Sequence, residues 1–304
     1  MRRPDFFLIG APKCGTTALS EYLRGHPKIF FSVPKEPHYY CTDFSEKFRI
    51  LTSEDEYAAC FRGADEGHLA VGEGSVWYLF SDVAVANILA EHPRARFIVM
   101  VRNPLDMVCS FHVQAVFSRD ETVEDFETAW RMQDERALGR GIPPSCREPR
   151  WLQYRKIAAL GSQVDRLLRG VPREQVKVIV FDDFVRDAGS VYCEVLSFLG
   201  VPSDSRDTFP QINESRAHRS TLLGNFLQRP PRRLVALALR ARDALGIERL
   251  GVLDYLTRAN TLRARPQLLS AQMRKELVTV FREDVLLLSR LIGRDLTHWL
   301  VDNG

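Results

Sequence analysis

The sequence predicts an α/β protein with a P-loop-like, three-layer α/β/α architecture, in which helices cover both faces of a central parallel sheet. Short apolar stretches at 6–9, 96–101 and 175–181 have the length of buried strands, and each is followed by a helical pattern. With 304 residues the chain is long enough for one large domain. We expect a single domain over 1–304, with an α/β core to residue 204 and a mostly helical C-terminal part over 205–304 that covers the site. The patterns predict helices over 122–138, 150–169 and 183–199, and an all-helical chain from residue 220 that includes a long amphipathic helix over 269–291.

The first strand leads into the loop GAPKCGTT at residues 10–17, and a helix with one apolar face begins at Thr16. Main-chain N–H groups at the start of a helix have no intrahelical partner, and together with the helix dipole they bind anions. Gly10 and Gly15 have the spacing of a Walker A motif, but Thr16 stands where that motif has its lysine, and the lysine of this loop is Lys13. The loop therefore predicts a phosphate site that differs from an ordinary nucleoside-triphosphate site.

Two later strands also end in charged residues, at the edge of the sheet where α/β proteins hold their ligands. Lys35 and Glu36 lie on a loop stiffened by two flanking prolines, for which a plain surface turn is the alternative. Arg102 ends the strand 96–101, and Ser110 lies two turns into the next helix, so that both could contact one phosphate. Because an arginine stands where a nucleotide triphosphatase would place an acidic residue for Mg²⁺, the sequence predicts no metal.

The net charge of +3 conceals an uneven distribution, with +7 over residues 205–304 and −4 over 1–204. Seven arginines and no acidic residue lie between Arg216 and Arg242. This stretch is either a solvated helix face or a surface for an anionic cofactor, an acidic acceptor or a lipid headgroup. No nucleic-acid motif accompanies the arginines, so we expect no nucleic-acid partner.

The N-terminus predicts no secretory signal, because the apolar run after the basic residues is too short for one. No stretch reaches the ~18 apolar residues that a membrane span needs. The six cysteines have neither C-x-x-C pairs nor metal-ligand spacing, which favours reduced thiols and a cytoplasmic location. Peripheral contact with a membrane or with a lipid-linked acceptor is compatible with this pattern, and the sequence does not indicate an oligomeric state.

Taken together, these segments resemble the sulfotransferases that use 3′-phosphoadenosine 5′-phosphosulfate (PAPS). The loop at 10–17 is similar to the family's 5′-phosphosulfate loop, and VRNPLDMVCS at 101–110 is similar to its 3′-phosphate motif. KEPHYY at 35–40 and GEGS at 72–75 resemble segments of the heparan sulfate glucosamine branch and its bacterial relatives. The segments occur in the family's order, and the stretch 281–299 resembles the C-terminal end of bacterial members.

The resemblance implies in-line transfer of a sulfuryl group from PAPS to an acceptor hydroxyl. It places Lys13 at the leaving oxygen as an electrostatic stabiliser. The loop residues expected to bind the 5′-phosphate are Lys13, Cys14, Gly15, Thr16 and Thr17. Arg102 and Ser110 are expected to bind the 3′-phosphate. Glu36 is the expected general base, and His112 is the competing candidate because histidine titrates near neutral pH.

The acceptor side of the site is less defined. Lys35 and His38 are expected to contact the acceptor or to support the local structure. Glu73 belongs to the GEGS turn, and Trp77 begins an aromatic cluster that is either core or part of an acceptor pocket. The resemblance allows a carbohydrate, a glycolipid or a natural product as the acceptor, with sulfation of an amine as a variant of hydroxyl sulfation.

The chain departs from the family near its C-terminal part, where members carry an Arg-Lys-Gly or Lys-Gly-Arg loop that closes over the cofactor. The equivalent stretch appears as NESRAHRS at 213–220, so Arg216 and Arg219 are the expected substitutes. Secreted relatives also carry a disulfide and a membrane anchor, for which the sequence gives no signal. Two rival functions are a P-loop kinase or other NTPase, and a non-catalytic nucleotide-binding or membrane-docking protein that uses the arginines from 216 to 242.

Overall fold

The computed structural model describes residues 2–49, 51–212, 216–218, 261–263 and 269–301. The described elements begin with β1 (Phe6–Gly10), α1 (Thr16–Arg24), β2 (Ile29–Phe31), α2 (Glu54–Ala59), β3 (Ala70–Gly74) and α3 (Ala84–Glu91). They continue with β4 (Arg96–Val101), α4 (Pro104–Ser118), α5 (Phe126–Arg131), α6 (Gln133–Ala137), a 3₁₀ turn (Pro149–Leu152), α7 (Tyr154–Ala158) and α8 (Leu160–Gly170). The last are a 3₁₀ turn (Arg173–Gln175), β5 (Val176–Val180), α9 (Phe181–Arg186), α10 (Ala188–Leu199), β6 (Arg216–His218), β7 (Thr261–Arg263), α11 (Ala271–Ile292) and a final 3₁₀ turn (Thr297–Leu300).

A five-stranded parallel sheet with the order β2-β3-β1-β4-β5 forms the centre of the molecule. All five residues of β1 are buried, as expected for a strand that has neighbours on both edges and helices on both faces. Phe6 pairs in register with Gly72 of β3 on one side and with Arg96 of β4 on the other. The chain crosses from one side of β1 to the other between β3 and β4, and such switch points create a crevice at the carboxyl ends of the strands. The predicted fold class is confirmed.

The long C-terminal helix α11 packs against α8 and agrees with the predicted helix at 269–291. The Asp284 carboxylate accepts hydrogen bonds from the main-chain N–H groups of Gly161 (2.7 Å) and Ser162 (2.8 Å) at the start of α8. Beyond α11, Trp299 donates from Nε1 to the Asp182 carboxylate at 2.8 Å. These contacts hold the end of the chain against α8 and α9.

Three predicted helices begin later or are divided in the structure. The helix expected over 122–138 begins only at Phe126, because Glu121 accepts from the N–H groups of the next two residues and Asp125 then caps α5 at Thr128. It is divided at Met132 into α5 and α6. The helix expected over 150–169 is a 3₁₀ turn followed by α7 and α8. The helix expected over 183–199 breaks at Asp187, whose carboxylate accepts from Ser190 N at 2.8 Å and caps α10.

The prediction of a wholly helical chain from residue 220 is wrong at 261–263, where β7 pairs antiparallel with β6. The backbone of β6 lies alongside α4. The rest of the arginine-rich stretch, including Arg219, lies outside the described residues. Within the ranges that the structure describes, no helix combines the length and the apolar character needed to cross a bilayer.

Candidate active site

A cavity of about 1160 Å³ lies at the carboxyl ends of the strands. Residues that follow each of the five strands contribute to its wall. The residues proposed from the sequence that line it are Lys13, Gly15, Thr16, Thr17, Glu36, Trp77, Arg102 and Ser110. Its volume exceeds the ~300–1000 Å³ of a typical small-molecule pocket, which leaves room for a nucleotide and part of a second substrate.

The loop before α1 presents main-chain donors to this cavity. Gly15 is the residue that precedes the helix, and its φ of 89° lies in the left-handed region that favours glycine. A Cβ atom there would lie 3.0 Å from the Phe181 ring, so the close approach also requires glycine. No side chain caps α1, and its first residues Thr16 and Thr17 line the cavity. The first-turn N–H groups are thus placed to bind an anion.

The Cys14 side chain points away from the main-chain N–H groups that face the cavity. It is fully buried, it does not line the cavity, and its sulfur donates to the Pro12 carbonyl oxygen at 3.4 Å. Burial raises the pKa of the Cys14 thiol to about 12, so the group stays protonated at neutral pH. Only the main chain of Cys14 is therefore placed to contact a ligand.

Lys13 is held through both its side chain and its main chain. Its Nζ donates to Oε1 of Gln114 on α4 at 2.9 Å, and its carbonyl oxygen accepts from Nη1 of Arg102 at 3.1 Å. The Arg102 guanidinium also lies 4.7 Å from the centre of the Phe181 ring. The loop lysine and the arginine after β4 therefore lie side by side in one cavity.

Glu36 faces the same cavity from the loop after β2. Its carboxylate accepts a hydrogen bond from Lys35 Nζ at 2.5 Å and lies 3.4 Å from Nε2 of His38. Burial alone would raise the pKa of Glu36, but the hydrogen bond from His38 and the charge of Lys35 outweigh it and hold the pKa at about 2. The carboxylate is therefore ionised at neutral pH and able to accept a proton.

Three of these residues have unusual main-chain conformations. Lys13, Glu36 and His38 have φ values of 63°, 67° and 52°, in the left-handed region. Residues other than glycine rarely adopt this conformation, and where they do they concentrate at functional sites. Of the five described non-glycine residues with this conformation, three therefore lie in the two segments that the sequence motifs indicate, and Arg119 and Ser205 lie elsewhere.

His112 is not part of this arrangement. It is buried in the core, does not line the cavity, and forms a hydrogen bond between Nε2 and the Val123 carbonyl oxygen at 2.9 Å. Its ring packs against Phe126 and Tyr154. Burial lowers the pKa of His112, which keeps the imidazole neutral. The geometry therefore does not support His112 as the general base.

Of the four expected acceptor contacts, Trp77 alone is a cavity-lining residue. It is mostly buried and stacks on Trp151, with ring centres 5.0 Å apart. Lys35 and His38 flank Glu36 and contact its carboxylate instead. Glu73 has no exposed surface and does not line the cavity, so a direct contact with an acceptor is inconsistent with its position.

The cavity wall also contains residues that were not proposed as site residues from the sequence, among them Gln114, Arg147 and Phe181. Gln114 follows Ser110 by one helical turn on α4, so the period of that helix could have indicated it. Arg147 lies on a loop, where it pairs with the Asp120 carboxylate and lies 5.2 Å from the Trp151 ring. No local pattern reveals Arg147, because its partner is 27 residues away.

The two arginines expected to replace the missing C-terminal loop are only partly accounted for. Arg216 belongs to β6, whose backbone lies alongside α4, but its side chain lies outside the description, as does all of Arg219. Within the described part of the chain, no three His, Cys, Asp or Glu side chains are grouped as ligands of a metal ion.

The fold and the site define a class of α/β protein with two groups of anion-binding residues in one cavity. One group is a helix N-terminus with a loop lysine, and the other is an arginine that follows the neighbouring strand. Residues 3–220 match the family model described as the sulfotransferase domain. The chain belongs to the sulfotransferase family, which confirms the resemblance seen in its motifs.

The family members most useful for comparison come from bacteria and from humans. A sulfotransferase from Alicyclobacillus acidocaldarius is 29% identical, with a TM-score of 0.72 over 98% of this chain and 99% of that chain. Human heparan sulfate glucosamine 3-O-sulfotransferase 6 is 25% identical over 253 residues, which are 80% of this chain and 68% of that protein. Human carbohydrate sulfotransferase 15 is 28% identical over 163 residues, which are 40% of this chain but only 29% of that protein.

Proposed function

We propose that this protein transfers a sulfuryl group from PAPS to a hydroxyl group of a carbohydrate-containing acceptor. The observation that carries the proposal is the presence of Lys13, Arg102 and Glu36 around one cavity. The family to which the chain belongs supports the reaction class. The names of the relatives, which act on carbohydrate or on heparan sulfate, support the acceptor class.

The chemistry of the cavity wall suits a nucleotide with phosphates at both ends of its ribose. Among the described lining residues there are three cations, Lys13, Arg102 and Arg147, and one carboxylate, Glu36. The N–H groups and hydroxyls at the start of α1 would hold the 5′-phosphate, and Arg102 with Ser110 would hold the 3′-phosphate. Aromatic residues line the same cavity beyond α1 and offer flat surfaces to a base; they are Tyr22, Phe184 and Phe209.

In the proposed reaction, Glu36 accepts the proton of the acceptor hydroxyl while the hydroxyl oxygen attacks sulfur. The new oxygen–sulfur bond forms as the bond from sulfur to the 5′-phosphate oxygen breaks, and the electron pair stays on that phosphate oxygen. Lys13 stabilises the charge that develops there. The products are the sulfated acceptor and 3′-phosphoadenosine 5′-phosphate (PAP).

The low pKa of Glu36 indicates what its carboxylate contributes. A base whose pKa lies far below the working pH is a weak proton acceptor, so its strength alone gives little acceleration. Its position is the larger contribution, because Lys35 and His38 hold the carboxylate where it can orient the incoming hydroxyl. The proton would pass to Glu36 late, as the oxygen–sulfur bond forms.

Ligand-dependent thermal stability tests the nucleotide assignment directly. PAP at ~100 times its Kd is expected to stabilise the protein by about 2.7 kcal/mol, a rise of several degrees in Tm. ADP, which lacks the 3′-phosphate, should stabilise it less at the same concentration, and Arg102→Ala should reduce the difference to the part that Ser110 contributes. Stabilisation by ATP–Mg²⁺ with no preference for PAP would instead support the kinase alternative.

Transfer of radiolabelled sulfate from PAPS tests the acceptor class. We expect label in unsulfated oligosaccharides that carry only hydroxyl groups. The matched control is the same oligosaccharide with a free glucosamine amine, and label that requires the amine would indicate N-sulfation. Label that appears only with lipid-linked or aromatic acceptors would reject the oligosaccharide class while leaving sulfuryl transfer intact.

We further propose that the protein acts in the cytoplasm. All six cysteines are free thiols, and five of them are buried or half-buried, which suits a reducing compartment. The proposal includes peripheral binding to a membrane that carries a lipid-linked acceptor. Sedimentation of the protein with anionic vesicles would test this binding. Fractionation of cells that express the tagged chain is the test of location.

A further inference from the structure

The segment that carries Glu36 is hydrogen-bonded along one side to the end of β3 and the turn after it. Three alternate residues of the segment donate their main-chain N–H groups in this direction. The bonds run from Glu36 to the Gly74 carbonyl oxygen (2.9 Å), from His38 to Ser75 Oγ (3.0 Å) and from Tyr40 to Tyr78 Oη (3.3 Å). Two of the three acceptors are therefore side-chain hydroxyls, whose direction depends on where their own protons point.

Both hydroxyls donate to the buried carboxylate of Glu73. Ser75 donates to Oε1, and Tyr78 donates to Oε2 at 3.1 Å. A third hydroxyl, from Tyr57 on α2, donates to Oε2 at 2.8 Å. Glu73 thus accepts three hydroxyl protons while none of its surface is exposed.

We propose that Glu73 is a positioning residue for the general base Glu36. Its carboxylate fixes the protons of Ser75 and Tyr78, which turns the lone pairs of these hydroxyls toward the N–H groups of residues 38 and 40. The proposal rests on the proposed function, in which Glu36 takes the proton of the acceptor. Glu73 itself touches neither substrate, since it does not line the cavity.

The charge of Glu73 decides whether this arrangement is complete. A carboxylate accepts from all three hydroxyls, whereas a protonated carboxyl must donate one proton of its own. One hydroxyl then has to turn away or lose its partner, and the segment 36–40 loses a fixed contact. Burial raises the pKa of Glu73 to about 7, so both states are populated near neutral pH.

Several other titratable groups surround Glu73. Those that face it are Lys35, Tyr40, Cys41, Tyr57, Cys60 and Tyr78. Burial raises the pKa of each of these tyrosines and cysteines, so they remain neutral. In the segment itself, Glu36 is ionised throughout, and burial lowers the pKa of His38. An acidic limb of activity near neutral pH is therefore assigned to Glu73.

The pH dependence of PAPS hydrolysis tests this assignment without a known acceptor. Water then replaces the hydroxyl, and PAP and sulfate are released. Between about pH 5.5 and about pH 8.5, the rate of the wild-type protein should rise through the pKa of Glu73 to a plateau. The side chain of Glu73→Gln is uncharged at every pH, so the hydrolysis rate of this variant should not change with pH. The rate should lie up to ~10²-fold below the wild-type plateau, and the affinity for PAP should be unchanged.

Two tyrosine variants provide a matched pair, since each removes one hydroxyl from Glu73 and keeps the ring. Tyr57→Phe leaves the three main-chain hydrogen bonds of the segment intact, so we expect a plateau equal to that of the wild type. Its acidic limb should move to higher pH, because the carboxylate has lost a donor. Tyr78→Phe also removes the acceptor of the Tyr40 N–H group, and we expect a lower plateau.

Hydrogen exchange distinguishes failure of this inference from failure of the proposed function. Protection of the amides at 36, 38 and 40 should increase as pH rises through the Glu73 pKa, and Glu73→Gln should remove this increase. If the wild type binds PAP but does not hydrolyse PAPS, the proposed function fails. The exchange data still decide the role of Glu73 in that case. If Glu73→Gln keeps the wild-type plateau and acidic limb, Glu73 is not a positioning residue, whatever the acceptor.

Discussion

The Arg102 guanidinium donates a hydrogen bond from Nη1 to the main-chain carbonyl oxygen of Lys13, at 3.1 Å. Under the proposed function, the residue that would bind the 3′-phosphate therefore also supports the loop that would bind the 5′-phosphate. A single substitution at position 102 should consequently affect both ends of the nucleotide, but not equally.

Arg102→Ala should weaken PAP binding by about 1.5–3 kcal/mol, which is the contribution of a hydrogen bond to a charged group. That loss corresponds to roughly a 10- to 150-fold rise in Kd. ADP binding should weaken less, since only the support of the Lys13 loop is lost. Ser110→Ala is the matched variant, with an expected loss of about 0.5–1.5 kcal/mol for PAP and none for ADP. Calorimetric titration measures all four values, and equal losses for PAP and ADP would argue against a 3′-phosphate site.

Glu36→Gln should lower the rate of sulfuryl transfer by roughly 10²- to 10⁴-fold, because the amide loses the charged contact with Lys35 that holds the side chain in place and cannot accept the proton of the acceptor. PAP affinity should stay at the wild-type value, which separates loss of the base from loss of the fold. Glu54→Gln serves as the control, since Glu54 is an exposed carboxylate paired with Arg3. Simultaneous loss of turnover and of PAP binding in Glu36→Gln would show that Glu36 is structural.

Glu73 should make the protein less stable as pH rises. Its carboxyl has an ordinary pKa of 4.5 and a pKa of about 7 in the fold, so between these values the folded state binds a proton that the unfolded chain has released. The free energy of unfolding should therefore decrease across this range by about 3 kcal/mol from this group alone. Urea unfolding at several pH values should show a shallower decrease for Glu73→Gln, and parallel curves for the two proteins would contradict the raised pKa.

The contact between α8 and α11 predicts opposite effects for two glycines of one helix. A Cβ atom at Gly161 would lie 2.1 Å from the Asp284 carbonyl oxygen, whereas nothing lies within 4 Å of one at Gly170. Gly161→Ala should destabilise the protein by about 1–3 kcal/mol through overpacking. Gly170→Ala should stabilise it by up to about 1 kcal/mol, because alanine is the better helix former. Thermal unfolding of both variants measures the contrast, and two shifts of the same sign would be inconsistent with close packing at α11.

The sequence was sufficient to predict which segments meet at the site. Parallel strands end at the same edge of the sheet, so residues that directly follow strands come together regardless of their separation in the chain. That rule places the loop at 10–17, Glu36 and Arg102 around one cavity, where the structure has them. The same rule could not give the order of the strands, which depends on how the crossover helices pack.

The sequence was not sufficient where a residue's surroundings come from distant parts of the chain. Glu73 lies near the end of β3, in a glycine-rich segment that resembles a functional one, but α2 covers it and Tyr57 donates to its carboxylate. The break before α5 has the same origin, because Glu121 is oriented by a buried ion pair with Arg136. Tyr57 and Arg136 each lie more than one helical turn away in sequence from the carboxylate that they contact. Helical periodicity in the sequence therefore does not reveal either contact.

The ring of Phe181, the first residue of α9, lies between the two places where the phosphates would bind. One of its carbon atoms limits the loop at Gly15, and its face supports the Arg102 guanidinium. Under the proposed function, the size of this one aromatic side chain would set the separation of the two phosphate sites. Positions 15, 102 and 181 should consequently vary together among descendants of this fold, since a lineage that adapts to a nucleotide of another length has to change the ring and both of its neighbours.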